Sequence, residues 1–269
     1  MLFIGLATVV SAARIAVCFF GLTRSLVFTA PMIEQRLMAP LRRAADVTVF
    51  FHTYNLSVIH NTRSHEPNAP NRYENMFLLR PDYWRISDQH NYLATLPKDF
   101  CRRHGDSWQD NYQSHRNFMC QLNSLELVTE LLLDVARTSA FDAVVFARPD
   151  VLYYTAIDVE QVLSSANNTI YIPPFANWGD LNDRFAFGRL DVMTRYGQRG
   201  RSIEQYCEKR RAHSEQFLKW YVADARLQIR RTPMMFGRVR ATGVVWEQPS
   251  WAVGRSRNIS IQAALEVFE

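Results

Sequence analysis

"FDAVVFARPDVLYY", residues 141–154, is the stretch from which the fold can be read. Its first half is apolar and β-branched, the composition of a strand buried on both faces. It then stops on Arg148, Pro149 and Asp150 before apolar and aromatic residues resume. Pro149 has no N–H to give to a ladder, so strand pairing ends there. In an open α/β sheet, ligands bind outside the carboxyl ends of the strands. A carboxylate at that point can hold a divalent cation that bridges a diphosphate. Asp150 is therefore a candidate metal or sugar-nucleotide ligand, with Arg148 pairing either Asp150 or phosphate oxygens. The alternative is an Arg–Asp pair that caps the strand.

Upstream, "RIAVCFFG" (14–21) is a near-continuous apolar run, and "DVTVFFHTYN" (46–55) is a second strand. Between them, Ile33, Leu37 and Leu41 mark a helix over residues 27–44. Strand, helix, strand in this order is a βαβ unit with a right-handed parallel crossover. Residues 56–112 are polar, rich in His, Asn, Arg, Pro and Tyr, and lack periodicity. They read as an insertion of loops and short elements, a kind of segment that is more often functional than idle. Apolar residues at three- and four-residue spacing from Met119 to Val135 predict a helix over 112–137. Strands at 143–147, 168–175 and 183–188 and helices at 190–196 and 213–225 follow. "LQIRRTP" and "FGRVRATGVV" close the chain as strands or hairpin pieces. Alternating strands and helices predict an α/β fold, Rossmann-like, with a largely parallel central sheet flanked by helices. Residues 14–269 read as one domain.

The 269 residues carry 48% apolar and 21% charged side chains, an ordinary globular mix that excludes disordered and collagen-like classes. There are 28 arginines against 3 lysines, and the formal charge is +5. Arg grips phosphate bidentately, but an Arg-for-Lys bias also follows from GC-rich coding. The arginines are scattered and no basic run alternates with aromatics, so no nucleic-acid partner is expected. None of Cys18, Cys101, Cys120 and Cys207 sits in a CxxC pair, which argues against zinc. Cys18 reads as a core thiol, and Cys101 with Cys120 as a disulfide pair if the protein is secreted. Residues 1–13, apolar and ending in small residues, resemble a signal-peptide core and are too short to span a bilayer. Membrane association is expected only through this N-terminus. Sequons at Asn55, Asn167 and Asn258 are compatible with a secretory (ER or Golgi lumen) location; the alternative is cytoplasmic.

Three polar clusters fall at strand ends: 21–25, 52–55 and 148–150. Gly21 allows a sharp turn or close ligand approach. Thr23 and Arg24 then face a phosphate, or "GLTRS" is a turn with a helix cap. It is neither a dinucleotide fingerprint nor a P-loop. "NDRFAFG" places Asn182, Asp183 and Arg184 before a short strand, with Asp183 a sugar ligand, a base or an exposed turn residue. Glu215, at a helix start after His213 and Ser214, is either favoured by the helix dipole or a general base for a hydroxyl. No G-x-S-x-G elbow exists for a serine hydrolase.

"FFGLTRS", "FHTYN", "FDAVVFARPDVLY", "NDRFAFG" and "HSEQFL", in this order over residues 14–235, resemble glycosyltransferases of the GT-A fold. The likeness is to protist, algal and viral glycosyltransferase-like proteins with an R-P-D strand end. The resemblance implies transfer of a sugar from a UDP- or GDP-sugar to a hydroxyl of a glycan or glycoprotein. It implies Mn²⁺ or Mg²⁺ on Asp150, in the place of a D-x-D motif of which only one acid is present. It also implies a donor site made of Gly21, Thr23, Arg24, Tyr54 (base stacking), Arg148, Asp150, Asn182 and Arg184, with Asp183 and Glu215 catalytic. No His follows His213, so the C-terminal metal-binding His of many members is missing. A non-catalytic nucleotide- or carbohydrate-binding module on the same fold is the alternative.

Overall fold

The βαβ unit forms as its sequence predicts: β1 (Arg14–Phe20) lies parallel to β2 (Asp46–Tyr54), in register from Arg14 opposite Asp46 to Phe20 opposite His52. The structure is a computed structural model and describes residues 12–61, 66–175, 181–247 and 259–266. Most of residues 1–13 and the sequon at Asn258 lie outside the described residues; Asn55 and Asn167 are exposed. Between the two strands run helices α1 (Leu26–Ile33) and α2 (Ala39–Ala44), joined by a π-helical turn, Glu34–Met38. Pro40 lacks the N–H that an α-helix would give to the Arg36 carbonyl, and that carbonyl accepts from Ile157 N–H at 2.9 Å.

The polar insertion holds a two-stranded ribbon, β3 (Val58–Asn61) and β4 (Glu66–Pro70), and then a 3₁₀ turn. It also holds β5 (Tyr83–Ser87), which pairs parallel with β2 as an edge of the main sheet, and α3 (Gln89–Thr95). Sequence periodicity did not show this edge strand, because its side chains are mostly exposed and do not alternate cleanly. The long helix α4 (Gln113–Ala136) follows and leads into β6 (Ala143–Ala147), parallel to β1 on its other side. After β6 come β7 (Val151–Tyr153), α5 (Val159–Leu163), β8 (Thr169–Ile172), β9 (Phe185–Gly188), α6 (Leu190–Gly197), α7 (Ile203–Cys207) and α8 (Ser214–Asp224). The chain closes with β10 (Gln228–Arg231), β11 (Phe236–Val239), β12 (Val245–Glu247) and α9 (Ile261–Glu266).

The main sheet has seven strands in the order β10-β8-β9-β6-β1-β2-β5, with β9 antiparallel to its neighbours and the rest parallel. Alternation divides β1 between two cores. Ile15, Val17 and Phe19 pack with Leu26, Ile33, Leu37 and Leu41. Ala16, Cys18 and Phe20 pack with Leu125, Val128 and Leu132 of α4, and with side chains of α6 and α8. The fold is thus α/β, with helices on both faces of a mostly parallel sheet. β7 leaves this sheet to join β11 and β12 in a small antiparallel one. Among the described residues no helix is long and apolar enough to cross a membrane.

The cysteine pairing differs from expectation. Cys101 bonds Cys207, with Cα atoms 5.1 Å apart, while Cys120 is free and buried. The cause is the path of the chain around Cys101. His104 Nε2 contacts Glu208 O, Ser107 Oγ donates to Ala212 O, and Arg211 Nε donates to His104 O. These bonds hold residues 101–107 against 207–212, whereas Cys120 faces inward from the middle of α4. Non-reducing peptide mapping is expected to recover a Cys101–Cys207 link and no peptide linked through Cys120. Cys207→Ser is expected to lower stability by about 2–4 kcal/mol, the usual range for a disulfide closing a long loop, read by denaturant unfolding.

Candidate functional site

The chain builds β1, β2 and β5 outward in one direction, then crosses back to lay β6 on the other side of β1. β1 and β6 therefore flank a topological switch point, where open α/β sheets form their ligand crevice. Both carboxyl ends there carry polar clusters. Gly21 ends β1 at φ +104°, a conformation that favours glycine. Its N–H donates to Ser124 Oγ at 2.8 Å. The same hydroxyl meets His52 Nδ1 at 2.7 Å, and His52 Nε2 meets Ser87 Oγ at 3.0 Å. Burial, with Arg85 nearby, pushes the His52 imidazole down to about 3, so it stays neutral and serves both hydroxyls.

Arg148, Pro149 and Asp150 are each held by one backbone hydrogen bond. Arg148 N–H donates to Arg184 O, Thr29 Oγ1 donates to Pro149 O, and Val239 N–H donates to Asp150 O. The Asp150 side chain is fully buried. Arg148 clamps it bidentately, Nε to Oδ1 at 2.8 Å and Nη2 to Oδ2 at 2.6 Å, and Arg24 Nη2 lies 3.0 Å from Oδ2. Burial alone would raise the Asp150 carboxyl, but Arg148 and then Arg24 outweigh it and hold it far below the usual range.

From Asp150 the charges run both ways. Arg24 Nη1 reaches Glu66 Oε2 at 2.9 Å; Glu66 Oε1 accepts from Ala241 N–H, and Arg240 Nη1 stands 3.7 Å from Oε2. In the other direction Arg148 Nη1 donates to Gln121 Oε1 at 2.9 Å, and Gln121 Nε2 donates to Asp183 Oδ2 at 2.7 Å. Arg184 then bridges Asp183 Oδ1 (3.6 Å) and Glu215 Oε1 (3.4 Å). Ser214 Oγ donates to Glu215 Oε2 at 2.5 Å, and His213 Nδ1 lies 3.4 Å from it. The structure thus joins Arg24, Arg148, Asp150, Asp183, Arg184 and Glu215 in one buried chain. Four arginines face four carboxylates, and Arg238 and Arg199 add positive potential at Asp150 and Asp183.

Glu215 moves the opposite way to Asp150. Burial, and then the negative Asp183, raise its carboxyl to about 7, against the pull of Arg184 and the Ser214 hydroxyl. Asp183 moves the other way: burial opposes ionisation, but Arg184, Arg148 and the Gln121 amide hold it low.

The remaining site candidates serve other ends. Thr23 Oγ1 contacts Asn71 Oδ1 and Arg72 O, tying the β1 loop to the insertion. Tyr54 is buried, and its hydroxyl donates to Cys120 O and Asn123 Oδ1, so its ring is enclosed against α4 and offers no face for base stacking. Asn182 closes a turn, Oδ1 accepting from Arg184 N–H and Nδ2 donating to Phe175 O. In this arrangement both Asp150 oxygens are engaged by guanidinium groups. Among the described residues no group of three His, Cys, Asp or Glu is placed to hold a metal. Sequence reading missed Glu66, Gln121 and Arg240. Glu66 lies in the unpatterned insertion, Gln121 is one polar residue on a long helix, and Arg240 follows a short strand near the end of the fold.

Removing one member of a buried pair strands the other charge, at a cost of about 3–5 kcal/mol. Asp150→Asn is expected to lose that much stability in urea unfolding. Glu215 gives a pH signature of opposite sign to Asp150. Its folded-state value, about 7, lies above the ordinary 4.5, so its contribution is complete below about 4.5 and is lost as pH rises to about 7. Stability of the wild type relative to Glu215→Gln is expected to fall across that window, measured by denaturant unfolding at each pH. In comparisons with known proteins, no family model matches the chain and no curated protein is similar to it.

Proposed function

We propose that the chain is a nucleotide-sugar-dependent glycosyltransferase that takes a UDP- or GDP-sugar as donor and a hydroxyl of a glycan or glycoprotein as acceptor. The observation that carries this reading is Glu215: a buried carboxyl raised to about 7, at the end of an arginine-rich chain beside the sheet's switch point. A carboxylate of that basicity suits a general base at neutral pH. The acceptor hydroxyl gives its proton to Glu215 while its oxygen bonds the anomeric carbon. The bond from that carbon to the diphosphate oxygen breaks, and the nucleoside diphosphate leaves with the electron pair. Arg24 and Arg148, 10% and 13% exposed, are the cations that would stabilise the charge on that leaving group. Asp183 would orient the sugar, held by Gln121. Mn²⁺ or Mg²⁺ does not fit Asp150 while both oxygens are engaged by guanidinium groups, so no step runs through a metal. The Cys101–Cys207 disulfide and the exposed Asn55 and Asn167 support a secretory-pathway location.

A second reading is favoured by the way the chain of charges satisfies itself. A self-paired ribbon suits a non-catalytic nucleotide- or carbohydrate-binding module, with Glu215 part of its scaffold. Thermal stabilisation by a panel of nucleotides and nucleotide sugars, with Mn²⁺ and with EDTA, separates the two when combined with turnover. The transferase reading expects a shift with UDP or GDP compounds that survives EDTA. It also expects Glu215→Gln to bind donor normally while turnover falls about 10²–10⁴-fold. Donor binding with no turnover by the wild type on any hydroxyl acceptor leaves the binding module, and no shift with any nucleotide overturns the transferase and leaves carbohydrate binding alone.

A further inference from the structure

A separate cavity of about 180 Å³ opens between α3, the loop carrying Lys98 and Arg102, and the first turns of α4. It is larger than the roughly 150 Å³ apolar cavity known to hold a benzene ring. Leu93, Leu96, Pro97, Phe100 and Met119 supply an apolar wall. The rest of the lining is cationic or imidazole: Lys98, Arg102, Arg116 and His115.

His115 is the unusual member. Its side chain is 4% exposed, and among the described residues neither ring nitrogen has a hydrogen-bond partner. Buried imidazoles are normally satisfied. Tyr112 meets the ring only edge-on, at 5.9 Å between centroids. Burial, with Arg102 and Arg116 nearby, lowers it to about 4 despite the pull of Asp106, so it is neutral and holds one unused N–H and one unused lone pair. The cations are equally unspent. Arg102 stacks on Tyr112 at 4.6 Å, and its Nε has no hydrogen-bond partner among the described residues. Arg116 donates only a long 3.3 Å bond to Asn111 O. Among the described residues no carboxylate forms an ion pair with Lys98, Arg102 or Arg116. The neighbouring acid, Asp106, accepts from the N–H groups of Trp108, Asp110 and Tyr112.

We propose that this cavity binds a small organic carboxylate. Its ring-sized body sits among Leu93, Leu96, Phe100 and Met119, and its carboxylate is held by Arg102, Arg116 and the His115 N–H. Arg matches a carboxylate bidentately, and a neutral imidazole donor adds to the grip without itself needing a counter-ion. The site stands apart from the charged chain and does not depend on the transferase reading. His115 and Gln121 are six residues apart on α4, about 9 Å of helix rise.

Titration calorimetry with benzoate, benzyl alcohol and inorganic phosphate tests this on the intact protein, alongside the histidine ring signals in two-dimensional NMR. Saturable benzoate binding is expected, about tenfold or more tighter than benzyl alcohol or phosphate, and weakened about tenfold by Arg102→Gln and by His115→Phe. The His115 ring signals are expected to move with the same midpoint. Equal binding of benzyl alcohol would overturn the anionic half of the site. Equal binding of phosphate would overturn the apolar half. No saturable benzoate binding, or undiminished binding by folded Arg102→Gln, would overturn the proposal whole.

Discussion

Asp150 between Arg148 and Arg24 is the interaction on which the rest of the molecule depends. A carboxylate with no exposed surface is tolerable only when its partners are fixed and its lone pairs are filled. Those partners come from β1's loop and β6's end, and Arg24 is itself held by Glu66 from the insertion, next to Arg240 from the last strands. Residues 24, 66, 148, 150 and 240 cannot be buried separately without a large desolvation cost. Burying them together sets the loop after β1, the insertion and the small antiparallel sheet in fixed positions against one another.

The same burial produces two kinds of carboxyl along this chain of charges. Asp150 has one bidentate guanidinium and a second at 3.0 Å, so it remains ionised. Glu215 has one guanidinium at 3.4 Å, a repelling Asp183 behind it, and a serine hydroxyl. Desolvation acts on both; the number and distance of cations decides which way each moves. Asp150 thereby stays ionised at neutral pH, whereas Glu215 is poised to gain or lose a proton. A divided pair of acids of this kind is a common basis for assigning acid–base roles.

Much of this was legible because local pattern and global position coincide. Apolar runs ending in "GLTR" and "ARPD" mark parallel strands, and parallel strands bring their carboxyl ends to one edge. "NDR" reaches the same edge by a different route, since it precedes the antiparallel β9, whose start pairs with the end of β6. Side-chain direction was less legible. Tyr54 stands at a strand end, yet its hydroxyl turns back onto α4, while Asp150 makes the Arg–Asp pair that the sequence left open as an alternative. What sequence pattern could not show was partnership over long separations. Glu66, Gln121, Arg240 and the Cys207 partner of Cys101 have no local signature, because each is chosen by where the chain returns.

The insertion at residues 56–112 draws these observations together. It has little hydrophobic periodicity, and it would be a poor candidate to fold alone. It nevertheless extends the main sheet through β5, supplies Glu66 to the buried charges, holds Thr23 through Asn71 and Arg72, and forms one wall of the cavity at His115. The Cys101–Cys207 disulfide fixes its far end beside α7. Its order thus comes from long-range attachments rather than from its own core. Substitutions among its exposed residues can vary the rim of both candidate sites while Glu66 and Cys101 keep the frame in place, so any ligand choice at those sites is expected to be concentrated in this segment and not in the strands that carry it.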